Sequence, residues 1–189
     1  MLDISFKNKI KSNKIPYKSL SLNPTKDDFI NIYSPDETYN LSNIQVYNGG
    51  ALDSLYGLLY FDLSSIINKT IINAVLSMYA DDLSAATIIG IKRITSAWNE
   101  GVVTWNTKPT ISETVYYEES VPIGSGEWKI FDIKTLIQAI ADGASYEGIW
   151  LYVGNEYIDY RWCQFSSKEG DNKPVLEIKY YWQLRYYRK

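Results

Sequence analysis

The chain of 189 residues contains no histidine and a single cysteine, Cys163. Without histidine it lacks the usual general base, the usual metal ligand and every Ser–His or Cys–His nucleophile pair. One cysteine excludes an internal disulfide framework and any multi-cysteine zinc site. No apolar run approaches the roughly 20 residues that span a bilayer, so membrane insertion is not expected. The opening "MLDISFKNKIKSNKIPYK" is too polar for the apolar core of a signal peptide. The expected setting is therefore a cell interior, or a virion or other extracellular particle released without a cleaved signal. Basic excess is missing too: the net charge is -3, against the basic face of a nucleic-acid protein.

Hydrophobic residues make up 46% of the chain, enough to bury a core. The length fits one domain with additional arms. Residues 1–17 are lysine-rich, end just beyond Pro16 and lack a sustained period, so they read as an N-terminal arm. Strand signals recur from residue 18. In "LYGLLYFDL", Leu55, Gly57, Leu59, Phe61 and Leu63 share one face; in "INAVLSMYA", Ala74, Leu76, Met78 and Ala80 do the same. Leu176, Ile178, Tyr180 and Trp182 alternate with polar neighbours near the end. Such alternation predicts half-buried strands. Further strands are expected in 29–33, 43–47, 88–94, 127–133 and 148–153. One segment has helical spacing instead: Ile133, Leu136, Ile137, Ile140 and Ala141, with Asp132 to cap its start and Gly143 its end. These elements predict an all-β fold, a jelly-roll-type two-sheet β-sandwich with one short helix. The domain runs over 18–181, and 182–189 form a C-terminal tail.

Two of the six tryptophans fall in "SAWNEGVVTWNTKP" (96–109). Trp105 follows Val103 by two, so in a short strand both point the same way, and burial of such indoles fastens a fold. Trp98 and Trp105 are expected to be pegs of the fold. The binding candidates lie in "GNEYIDYRWC" (154–163), where a projecting loop would carry Tyr157, Asp159, Tyr160 and Arg161. Aromatic faces stack on sugar rings, while carboxylate and guanidinium groups bond hydroxyls. Neighbouring acids Asp81-Asp82 and Glu118-Glu119 point to opposite faces of a strand, unlike the facing pair that glycoside hydrolysis needs. No enzyme activity and no cofactor are therefore expected. Loop carboxylates at Asp27, Asp28 or at Asp81, Asp82 are open candidates for calcium, although no EF-hand-like loop is present.

Taken in order, "GLLYFDLSSI" (57–66), "INAVLSMY" (72–79), "IKRITSAWNEGVVTWNTKP" (91–109), "WKIFDIKTLIQAIADG" (128–143) and "FSSKEGDNKPVLEIKY" (165–180) resemble the DNRLRE-domain family, which overlaps carbohydrate-binding module family 96. The resemblance covers about residues 20 to 181. It implies a β-sandwich used as an accessory module in polysaccharide-active and cell-surface proteins, and also in phage structural proteins. Family members often carry an arginine where this chain has Tyr56 and Gly57. Another often stands near Asn172-Lys173-Pro174. The functional expectation is a non-catalytic component of a larger assembly: a phage tail, baseplate or capsid-decorating protein that binds host-surface glycans. The alternative is the carbohydrate-binding module of a secreted or cell-surface protein. Expected partners are other subunits, engaged through the arm and the tail, and a cell-surface glycan.

Overall fold

The computed structural model describes residues 16–39, 41–49, 53–83, 86–154 and 161–181, with the side chain of Arg161 left aside. Within them lie eleven strands and one helix: β1 (Tyr17–Leu22), β2 (Lys26–Asn31), β3 (Asn43–Asn48), β4 (Ser54–Tyr60), β5 (Ile71–Leu83), β6 (Thr87–Ile94), β7 (Ile111–Val121), β8 (Glu127–Asp132), α1 (Lys134–Ala141), β9 (Gly148–Val153), β10 (Arg161–Ser166) and β11 (Val175–Tyr181). The chain is mostly β with one short helix, as its periodicity predicts. Three strands, β1, β7 and β10, were not expected, and the one expected over 29–33 lies instead at Lys26–Asn31.

The strands join edge to edge in one curled antiparallel sheet, ordered β1-β11-β5-β10-β3-β4-β9-β6-β7, with β2 added to β4 and β8 to β5. Two separate sheets of a jelly roll were expected. They stay joined through the long strand β5 and through β3, which pairs with β4 at Tyr47 opposite Leu55 and Asn48 opposite Ser54. The first half of β5 pairs with β11 and its far end with β10, while β8 takes the opposite edge. This 13-residue strand thus carries the pairing from β11 and β8 on to β10.

The main core fills the concave side. Leu59, Phe61 and Leu63 from the β4 segment, Ala74, Leu76, Met78 and Ala80 from β5, and Leu176 and Ile178 from β11 all belong to it. Gly57 belongs there for want of space: a β-carbon at this position would lie 2.6 Å from Ile44 Cγ2. Helix α1 closes one end by burying Leu136, Ile137, Ile140 and Ala141. Asp132 Oδ1 accepts the Lys134 N–H at 3.0 Å at its start. At its end Gly143 takes φ +100°, and the N–H groups of Gly143 and Ala144 bond the carbonyls of Ile140 and Ala139. This is a glycine C-cap, in which a left-handed residue lets orphan carbonyls find donors.

A second, smaller core lies on the outer, convex face of β2, β4, β9 and β6. Ile30, Leu58, Ile94, Trp98, Val103 and Trp150 build it, with Tyr56, Tyr60, Trp105, Ile111 and Tyr152 packed around. Strand β4 is consequently covered on both faces.

Candidate functional site

The segment 96–109 is the cover over that outer face. It is a run of turns rather than the short strand expected there. The Thr104 N–H donates to Thr107 Oγ1 at 2.9 Å, and the Thr107 N–H returns to the Thr104 carbonyl at 3.2 Å, which curls the chain at Trp105. Such Ser/Thr side-chain bonds compete with a strand ladder and favour turns. The two tryptophans therefore part company. Trp98 is 5% exposed and its Nε1 donates to the Glu147 carbonyl at 2.8 Å. It is the peg the sequence suggests, and Val103 is buried beside it. Trp105 remains half-exposed and leans on Tyr56, ring centres 5.5 Å apart and planes 20° apart. Asn106 ties the loop to the segment after β2: its N–H bonds the Pro35 carbonyl and its amide donates to Asp36 Oδ1 at 2.8 Å.

Between the end of this loop and the sheet opens a cleft of about 260 Å³. Tyr56 from β4, Trp150 and Tyr152 from β9, and Lys92 from β6 form its sheet side; Trp105, Lys108, Pro109 and Ile111 form the other. The strand register explains the convergence. Trp150 lies directly opposite both Leu58 and Lys92, while Tyr152 lies opposite Gly90, so all project from the outer face. Tyr56 also packs on Trp150 with ring centres 4.9 Å apart. Lys108 Nζ stands 3.9 Å from the centre of the Trp105 ring, within cation–π range. Among the described residues no carboxylate pairs with Lys92 or Lys108. Burial first, and then the nearby Glu118 carboxylate, push the Tyr152 hydroxyl up to about 12, so it stays protonated.

A second polar constellation holds the other end of the same loop. Asp27 and Asp28 of β2 are both buried. Carboxylate oxygens of Asp27, Glu100 and Glu169 lie within 4.8 Å of one another. Asp27 Oδ2 accepts the Lys168 N–H at 2.6 Å, and its own N–H, on the free edge of β2, donates to Glu100 Oε1 at 2.8 Å. Asp28 divides its oxygens between the N–H groups of Phe29 and Gly101, at 2.8 and 2.9 Å. Burial pushes the Asp27 carboxyl upward, against the Lys168 N–H, and pushes Asp28 up to about 6. The ammonium of Lys168 pairs with both Glu100 and Glu169 and brings one positive charge to this acidic cluster. Of the other calcium candidates, Asp81 accepts a bond from Ser166 and Asp82 a long one from Ser125.

Comparison with known proteins fits this geometry. The profile of carbohydrate-binding module family 96 matches residues 18–180, nearly every described residue. The chain belongs to that family. It is also 26% identical over 178 residues to the tRNA3(Ser)-specific nuclease WapA of Bacillus spizizenii and to the tRNA nuclease WapA of Bacillus subtilis. The match takes in 86% of this chain but only 8% of each of those relatives. Membership supports the carbohydrate-binding alternative. The expectation of a phage tail, baseplate or capsid-decorating component draws no support from the family or from these relatives.

Of the glycan-binding residues expected in this family 96 domain, Tyr157, Asp159 and Tyr160 lie outside the described residues. Arg161 is not on a projecting loop but begins β10, paired with Asn48 of β3. The cleft residues Tyr56, Lys92, Lys108, Trp150 and Tyr152 went unrecognised in the sequence. A signal for them was present: in "LYGLLY" and "GIWLYV" the positions facing away from the core hold Tyr56, Tyr60, Trp150 and Tyr152. Aromatics on the face that alternation assigns to solvent point to a covered surface or a binding surface.

Proposed function

We propose that this domain is a non-catalytic module that binds a glycan in the cleft between the 96–109 loop and the outer face of the sheet. The observation that carries the reading is the composition of the cleft: four aromatic side chains beside two ammonium groups that no described carboxylate neutralises. Aromatic walls with a few placed polar groups suit a small ligand, and an apolar sugar face stacks on such rings. Lys92 and Lys108 favour a sugar bearing a carboxylate or sulfate, through charge-assisted hydrogen bonds. The tRNA nuclease activity in the relatives' names belongs to proteins of which the matched stretch is a small part, and it is not carried over to this chain.

Calorimetric titration against polygalacturonate, alginate, xylan and a mixed-linkage glucan tests the reading. The acidic polymers should bind, more weakly as salt is raised. The double variant Lys92→Ala/Lys108→Ala should lose about tenfold in affinity, or roughly 1.4 kcal/mol. Equal binding of neutral polymers, unaffected by the lysines, would overturn the acidic-sugar part. Binding to none of the four would overturn the function.

One observation favours a second reading, docking on another subunit through the chain ends. Tyr17 pairs with Tyr181, so the first and last strands of the described chain begin and end side by side at one edge of the sheet. Deletion of residues 1–15 should then abolish self-association in sedimentation velocity while sparing glycan binding. Unchanged association defeats this reading alone.

A further inference from the structure

Three of the four rings in the cleft are already engaged with one another. Tyr56 packs against both Trp105 and Trp150, and Trp105 also carries the Lys108 ammonium. Tyr152 is different. Among the described residues no aromatic ring packs on it, and the nearest cation, Lys92 Nζ, is 5.8 Å from its centre.

The ring of Tyr152 also has an unusual seat. In the sheet register Tyr152 lies opposite Gly90, and Gly90 lies opposite Glu118, so the three form one row across β9, β6 and β7. A β-carbon at position 90 would fall within 2.5 Å of three carbons of the Tyr152 ring. The ring therefore lies down across the Gly90 backbone. Its hydroxyl reaches the far strand and donates to Glu118 Oε1 at 3.2 Å. Two strand spacings, about 10 Å, separate the ends of this row. The Tyr152 side chain laid along the sheet and the Glu118 side chain reaching back to it span this row together, and glycine at the middle position leaves the ring room.

We propose that Tyr152 is the stacking platform for a sugar ring in this cleft, with Gly90 and Glu118 as its positioning residues. The inference rests on the glycan-binding reading above. Gly90 backs one side of the ring and the other faces the cleft. Glu118 holds the hydroxyl and so keeps the side chain from swinging off the sheet about its Cα–Cβ bond, while the Gly90 backbone limits how the ring can tilt. A ring pinned in this way loses little freedom on binding, and such preorganisation adds affinity. Its upward-shifted hydroxyl remains a donor throughout the neutral range, so the hold on Glu118 persists there.

The test is titration of the wild type and variants with the polymers named above, alongside thermal melts. Tyr152→Ala should weaken binding about tenfold or more. Tyr152→Phe and Glu118→Ala should each cost about threefold, and no more when combined, because both break one hydrogen bond. Glu118→Gln, whose amide oxygen still accepts, should recover most of the loss. Gly90→Ala should weaken binding at a temperature where the variant remains folded; should it not fold, the Tyr152 and Glu118 cycle decides. Full binding by Tyr152→Ala, with loss in Trp105→Ala, would overturn the platform and leave glycan binding intact. Additive losses for Tyr152→Phe and Glu118→Ala would overturn the positioning role. A wild type that binds none of the polymers removes the function and this inference together.

Discussion

Lys108 Nζ sits 3.9 Å from the centre of the Trp105 indole, on a ring that also stacks against Tyr56. Loop and sheet are thus joined by a short column of cation, indole and phenol. One tryptophan of the motif closes the loop onto the fold, and the other builds the wall of a cleft. Their substitutions should separate cleanly.

Trp98→Ala should cost about 3–5 kcal/mol of stability, the range for deleting a large buried aromatic. It also strips the Glu147 carbonyl of its donor. Urea unfolding measures it; a loss under 1 kcal/mol, on the order of a surface change, would deny Trp98 its role as a peg.

Trp105→Ala should cost only about 1 kcal/mol, since the ring is half-exposed and loses chiefly its stacking on Tyr56. Glycan affinity should fall as the cleft loses a wall. A destabilisation equal to that of Trp98→Ala would return Trp105 to the core.

Gly148→Ala should destabilise by roughly 2 kcal/mol or more, combining backbone strain with overpacking. Gly148 has φ +143°, and a β-carbon there would lie 2.7 Å from the Leu59 carbonyl oxygen and 3.2 Å from Trp98 Nε1. The variant should melt at lower temperature, with altered tryptophan emission. An unchanged melt would show that this corner yields easily.

Stability should fall as pH rises from about 4 toward 8. Burial raises the carboxyl pKa of Asp27 and Asp28 in the folded state, Asp28 to about 6. Groups raised in this way stabilise fully below their unfolded values near 4, and the contribution is lost as pH passes the folded value. Asp27→Asn can still accept the Lys168 N–H and no longer carries a charge beside Glu169. It should melt higher than wild type at pH 8 and not at pH 4.5. A variant that follows the wild type at both pH values would remove Asp27 from the effect.

The parts of the fold that period alone decides were legible. Leu55, Gly57, Leu59, Phe61 and Leu63 face the core as their alternation predicts, and Ile133, Leu136, Ile137, Ile140 and Ala141 are buried at helical spacing. β7 was not legible because it carries Glu113, Tyr117, Glu118 and Glu119 with little apolar alternation, and pairing with β6 gives it order instead. The cleft was hidden for a related reason. Alternation marks Tyr56, Trp150 and Tyr152 as outward, yet whether a distant loop covers an outward face depends on tertiary contacts such as Trp98 with Glu147 and Gly101 with Asp28. Two bonded threonines turned the Trp105 segment away from the strand that its spacing suggested.

The pairing of β1 with β11 has a mechanical consequence. Tyr17, where the described chain enters its first strand, lies beside Tyr181, where it leaves its last, and the strands run antiparallel with Leu22 opposite Leu176. Tension applied through these two points pulls the strands apart sideways. The rungs between them would then break one after another, beginning at Tyr17, rather than all resisting at once as they do when strands are sheared along their length. Under load β1 should peel away at low force. The tryptophan cleft, built on β4, β6 and β9 at the other end of the sheet order, lies off that line of force and should remain shaped while the edge opens.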